Sequence, residues 1–157
     1  MNIIKYPDHI LREISQSVKL PLSKEDKKLL DEMYVWLKEH NDEAVGLSAV
    51  QVGVLKRMCV IKHTMPTGKT VSYKLVNPRI ISHSSSKTMQ PEGCLSVAEE
   101  HDNPIPRYAT VSVMAFDAIQ NKTLVIQATG FLAKVFQHEI DHMDGKLYID
   151  YIKGAKD

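Results

Sequence analysis

Between Ser23 and His40 the apolar residues Leu29, Leu30, Met33 and Leu37 recur at helical intervals with charged residues among them, which predicts one amphipathic helix. Ser23 followed by Asp26 three residues on supplies a hydroxyl N-cap and an acid for its first turn. The pattern then changes to short, alternating or β-branched runs at Arg57–His63, Val71–Val76, Thr110–Phe116 and Thr123–Thr129. Turn-rich stretches at Met65–Lys69 and Ala118–Lys122 separate them, so antiparallel strands joined in hairpins are expected. From Gly130 to Asp144, Phe131, Leu132, Val135, Phe136 and Ile140 return to near-helical spacing, and Gly145 suits a C-cap. Two helices and several antiparallel strands are therefore predicted.

Length and charge narrow this picture. A chain of 157 residues is long enough for one core and short for two, and no repeat or Pro/Ser-rich linker divides it, so one unit over residues 1–157 is expected. Lys and Arg number 20 against 19 Asp and Glu, a formal charge of +1, which gives no general reason to expect a nucleic-acid or membrane partner. The N-terminal stretch mixes charges and a proline into its apolar residues, unlike a secretory signal, and no run approaches the roughly 18 apolar residues of a spanning helix. A soluble, cytoplasmic protein is the expectation. The two cysteines, Cys59 and Cys94, are too few for a disulfide framework and invite a chemical reading instead.

That chemistry starts on the second helix, which carries His138-Glu139-Ile140-Asp141-His142. Residues four apart on a helix lie about 40° apart around its axis, so both imidazoles can reach one ion. Glu139 lies about 60° from His142 and about 100° from His138, where a carboxylate can approach a water held by that ion without being a ligand. A catalytic site usually has three protein ligands, so one is missing. A metzincin-type protease would put a third His six residues after His142, where this chain has Tyr148. No Glu follows His142 either, which removes proteases that use a downstream glutamate. The third ligand is then expected upstream, with cysteine the best candidate by chemistry. Cys59 lies in a strand-like apolar run and reads as a small core residue. Cys94 lies in Pro91-Glu92-Gly93-Cys94-Leu95-Ser96, among small and polar neighbours, a plausible ligand loop.

Three stretches together resemble peptide deformylase: Val45-Gly46-Leu47-Ser48-Ala49-Val50-Gln51, Glu92-Gly93-Cys94-Leu95-Ser96 and Gln137-His138-Glu139-Ile140-Asp141-His142. The likeness extends from Tyr6-Pro7-Asp8 through Val76-Asn77-Pro78 to Leu147-Tyr148-Ile149-Asp150. It implies an α+β fold in which antiparallel sheets pack around a central metal-binding helix. It also implies one divalent metal ion, usually Fe(2+) and in some members Zn(2+), held by Cys94, His138 and His142 with a water in the fourth position. Glu139 is then general base and acid, and the Leu95 backbone N–H and Gln51 amide stabilise the oxyanion. The implied substrate is the N-formylmethionyl end of nascent polypeptides.

Matching positions extend the resemblance to substrate binding. Gly46 would supply backbone contacts to the peptide, and Val45, Glu92, Gly93, Phe131, Val135 and His138 would border the methionine pocket. Phe131 and Val135 equally suit core packing on the inner helix face. Arg107 is expected to contact a peptide carbonyl or to serve in a salt bridge, and His9, His40, His63, His83 and His101 lack ligand spacing. Two positions depart from the family's usual Gly-x-Gly-x-Ala-Ala-x-Gln: Ala44 replaces the first Gly and Ser48 the first Ala. Ala44 would restrict the backbone, and Ser48 would bring a hydroxyl near Gln51. The short tail Lys153–Asp157 lacks the long C-terminal helix with which some members dock at the ribosome exit, so the resemblance leaves ribosome association open and unsupported.

Overall fold

The computed structural model describes residues 1–98, 101 and 103–152. Helix α1 spans Lys24–Glu39, with the Ser23 hydroxyl accepting from the Asp26 N–H at 3.1 Å, the predicted cap. Strands follow at β1 Gly46–Ser48, β2 Met58–Thr64, β3 Thr70–His83, β4 Lys87–Gln90, β5 Ile105–Tyr108, β6 Thr110–Asp117 and β7 Lys122–Thr129. Helix α2 spans Gly130–Met143. Five strands form one antiparallel sheet in the order β1-β2-β3-β6-β7, and β4 pairs with β5 in a separate ribbon. This is the expected α+β arrangement.

Alternation along the strands explains why both helices are held. On β2 and β3, Cys59, Ile61 and Leu75 point to one face and join Leu132, Val135, Phe136 and Ile140 of α2. Their neighbours Met58, Val60 and Val76 point to the other face and meet Leu30, Met33 and Leu37 of α1. The central sheet is thus covered on both sides. On its far side α2 reaches β5, where Gln137 acts as a backbone mimic: its Oε1 accepts from the Tyr108 N–H at 2.8 Å and its Nε2 donates to the Tyr108 carbonyl at 3.0 Å. These two bonds fix the rotation of α2 between the two sheets. At its C-terminal end, Arg57 donates to the Met143 carbonyl at 3.1 Å and to Asp144 at 2.9 Å, and Gly145 follows with φ +73°.

Strand β3 runs further than its pattern predicts. The sequence pattern ends the strand at Val76, whereas a register shift between Val76 and Arg79 absorbs Asn77 and Pro78 as a bulge. Asn77 adopts φ +52° there and bridges the Val18 N–H and carbonyl through its side chain, each at 2.8 Å. Strands β1, β4 and β5 are too short to announce themselves by alternation. Among the described residues, no helix is long and apolar enough to cross a membrane. The tail Lys153–Asp157 lies outside the described residues.

Candidate metal centre

The two imidazoles on α2 and the thiol of Cys94 converge. His138 Nε2 and His142 Nε2 are 3.2 Å apart, Cys94 Sγ is 3.4 Å from His142 Nε2, and all three donors lie within 4.8 Å of one another. These are spacings for three corners of a tetrahedron with bonds of about 2.0–2.3 Å, and one thiolate with two imidazoles is a donor set for a divalent transition ion. Cys94 reaches this point on a tight turn, in which the Val97 N–H donates to the Cys94 carbonyl at 3.1 Å. Cys59 is fully buried in the sheet core, where burial pushes its thiol well above the ordinary range, as its core reading requires. Of the other described histidines, His40 stacks on Trp36 and His83 on Tyr108, whereas His101 lines the cavity beside the cluster, its ring 6.1 Å from that of Tyr148, without joining the three donors.

A buried charge network stands behind the ligands. Glu92 Oε1 meets His138 Nδ1 at 2.8 Å, which leaves Nε2 facing Cys94 and His142. Arg107 grips Glu92 with two bonds, Nε to Oε2 at 2.6 Å and Nη2 to Oε1 at 2.9 Å, and reaches Asp141 through Nη1 at 2.6 Å. Tyr151 donates to the same Asp141 oxygen at 2.9 Å. Burial alone would raise the Glu92 carboxyl, but Arg107 and His138 outweigh it and bring it down to about 2. Burial likewise opposes charge on His138, and its bonds to Cys94 and Glu92 prevail, holding its pKa well above the usual value. His142, with burial dominant, is pushed well below, toward the neutral form that ligates metals.

Arg107 makes the salt bridges named as its alternative role. Its side chain is 4% exposed and all its bonds described above run to Glu92 and Asp141, behind the cavity wall. It is the salt-bridge alternative that the structure adopts.

A cavity of about 660 Å³ opens in front of the cluster. Val45, Gly46, Gln51, Glu92, Gly93, Cys94, Leu95, Phe131, Val135, His138 and Glu139 all line it, as do Lys134 and Tyr148, which the sequence reading did not place there. Val135 is both core residue and wall, whereas Phe131 is half-exposed at the mouth with the Lys134 ammonium 4.5 Å from its ring centre. Tyr148, occupying the position that ruled out a third His, is buried with its ring 6.4 Å from that of His138. Apolar periodicity could not have flagged either residue, because Lys134 is a charge on a helix and Tyr148 follows a turn.

The loop after β1 completes the site. The Ser48 N–H donates to Gln51 Oε1 at 3.0 Å, which turns the Gln51 amide so that Nε2 faces Ser96 Oγ at 3.1 Å and Cys94 Sγ at 3.8 Å. The Ser48 hydroxyl also lies 2.9 Å from Glu139 Oε1. Positive φ outside glycine is confined, among the described residues, to Asn77 and Asn121, so Ala44 is under no backbone strain. Gly46 is needed for space, since a Cβ there would sit 2.5 Å from Glu139 Oε2. Burial raises the Glu139 carboxyl, with the nearby His138 opposing.

The sequence model for polypeptide deformylase matches this chain over residues 1–157. The chain belongs to the polypeptide deformylase family. Among its deformylase relatives, the peptide deformylase of Shouchella clausii is 34% identical over 168 residues, covering 99% of this chain and 91% of that protein. Peptide deformylase 2 of Bacillus subtilis is 37% identical, covering 96% and 88%. A probable deformylase from a Synechococcus phage superposes with a TM-score of 0.84 at 32% identity, over 96% of this chain and 99% of that one. A class I type b deformylase from Acinetobacter baumannii, crystallised with Met-Ala-Ser bound, gives 0.85 at 30% identity, over 97% and 98%. The deformylase fold therefore extends across the described chain, and the Cys-His-His cluster sits at its centre.

Proposed function

We propose that residues 1–157 act as one catalytic domain that hydrolyses the N-formyl group from the initiator methionine of newly made polypeptides in the cytoplasm. The observation that carries this reading is the convergence of Cys94, His138 and His142 on one point of a cavity that Glu139 and Gln51 also line, in a member of the deformylase family. The cavity volume of about 660 Å³ suits a methionine side chain with a few peptide units. The Acinetobacter relative holds Met-Ala-Ser, a peptide of the form this reaction would leave, which supports a site for chains beginning with methionine.

In this reading Cys94, His138 and His142 hold one divalent ion, with Fe(2+) the preferred identity and Zn(2+) an alternative. When bound, such an ion supplies Lewis acidity and makes a water acidic enough to attack. Glu139 takes the proton of the attacking water and returns it to the departing amine. Its pKa, raised by burial, moves it toward the range in which a carboxylate can do both. The Gln51 amide, oriented by the Ser48 N–H, donates to the oxygen that gains negative charge, together with the Leu95 backbone N–H. The free edge of β1 at Gly46 would pair with the peptide, while Val45, Phe131 and Val135 enclose the methionine side chain and Glu92 and Gly93 border it.

Protein prepared anaerobically with iron should release formate from a formyl-Met peptide, with metal measured in the same sample. Metal-loaded protein that releases none would overturn the reading.

A further inference from the structure

The Ser48 hydroxyl is buried, 2.9 Å from Glu139 Oε1 and 3.1 Å from the Glu139 main-chain carbonyl. A hydroxyl has one proton and here two acceptors on the same residue. The other carboxylate oxygen, Oε2, lies over Gly46, on the cavity wall. Resting on the reading of Glu139 as the base, we propose that Ser48 is a positioning residue that holds the Glu139 carboxylate by Oε1 so that Oε2 is presented to the cavity.

With Glu139 anionic, the hydroxyl proton points to Oε1, fixing the carboxylate plane and leaving Oε2 to meet a water. The Ser48 hydroxyl thus keeps Oε1 turned away from the cavity and Oε2 turned toward it. Alanine, the usual residue at this point of the motif, provides neither bond. The serine thus adds a restraint that the fold does not require, because β1 and the Gln51 contact depend on the Ser48 backbone rather than its side chain.

The test is a kinetic cycle on metal-loaded protein with a formyl-Met peptide. Ser48→Ala is expected to lower kcat about tenfold, with KM and bound metal within twofold of the parent, because a hydrogen bond to a charged group is lost from the reacting carboxylate alone. In Glu139→Asp, whose shorter side chain withdraws from Ser48, adding Ser48→Ala should change kcat by less than twofold. Parent-like kcat in Ser48→Ala, or losses that multiply in the double variant, would overturn the proposal. An inactive parent would instead overturn the deformylase reading, so the two failures are distinguishable.

Discussion

Glu92 Oε1 and His138 Nδ1 stand 2.8 Å apart, and this contact decides which imidazole nitrogen faces Cys94 and His142. The partner of a ligating imidazole sets its tautomer and its orientation. Glu92→Ala should therefore weaken metal binding by roughly 10- to 100-fold even though Glu92 is not a ligand. Competitive titration with a chelator measures it, and unchanged affinity would contradict the orienting role.

The same carboxylate makes a prediction about acid. A group whose folded pKa is depressed contributes stability above its unfolded value, and that contribution is lost as pH falls toward the folded value. Glu92 drops from 4.5 to about 2, so metal-free protein should lose stability of the order of 3 kcal/mol between about pH 5 and pH 2 from this group. Denaturant unfolding across that window should show a shallower slope in Glu92→Gln than in the parent.

Arg107 lies between two acids with 4% of its side chain exposed. Removing one partner of a buried ion pair typically costs about 3–5 kcal/mol because the others remain charged and buried. Arg107→Met should lower the melting temperature sharply. A loss confined to substrate KM, with stability intact, would favour the peptide-contact reading instead.

The two cysteines should separate cleanly. Cys94→Ser is expected to reduce bound metal strongly, whereas Cys59→Ser should leave metal content unchanged and cost about 1–3 kcal/mol by placing a hydroxyl in the sheet core. Metal analysis and thermal melts of both proteins check this, and equal metal retention would refute it.

Gly46 offers a purely steric test. An added Cβ would meet Glu139 Oε2 at 2.5 Å, so Gly46→Ala must displace that carboxylate. Formate release should fall at least tenfold while the three metal ligands, which the methyl does not touch, keep their ion.

Much of this architecture was legible along the chain. Helix α1, helix α2 with its glycine stop, and the hairpin strands β2, β6 and β7 follow from periodicity and capping, which are local properties of side-chain direction. The extension of β3 past Asn77-Pro78 was not, because a break and a bulge share the same residues and differ only in whether β6 pairs beyond them. Strands β1, β4 and β5 exist through pairing, and three or four residues carry too little alternation to reveal it.

The site divides along the same line. His138, Glu139 and His142 share a helix, so their spacing alone places them together, and counting ligands leads to a cysteine elsewhere. What the tertiary structure decided is which groups meet across the chain: Arg107 with Glu92 and Asp141, and Ser48 with Glu139. Those partners come from strands, a loop and helix α2, 15 to 91 residues apart in the chain. A residue type can announce that it will ligate or ionise. Only the packing of β1 and β5 on either side of α2 determines what lies within 3 Å of it.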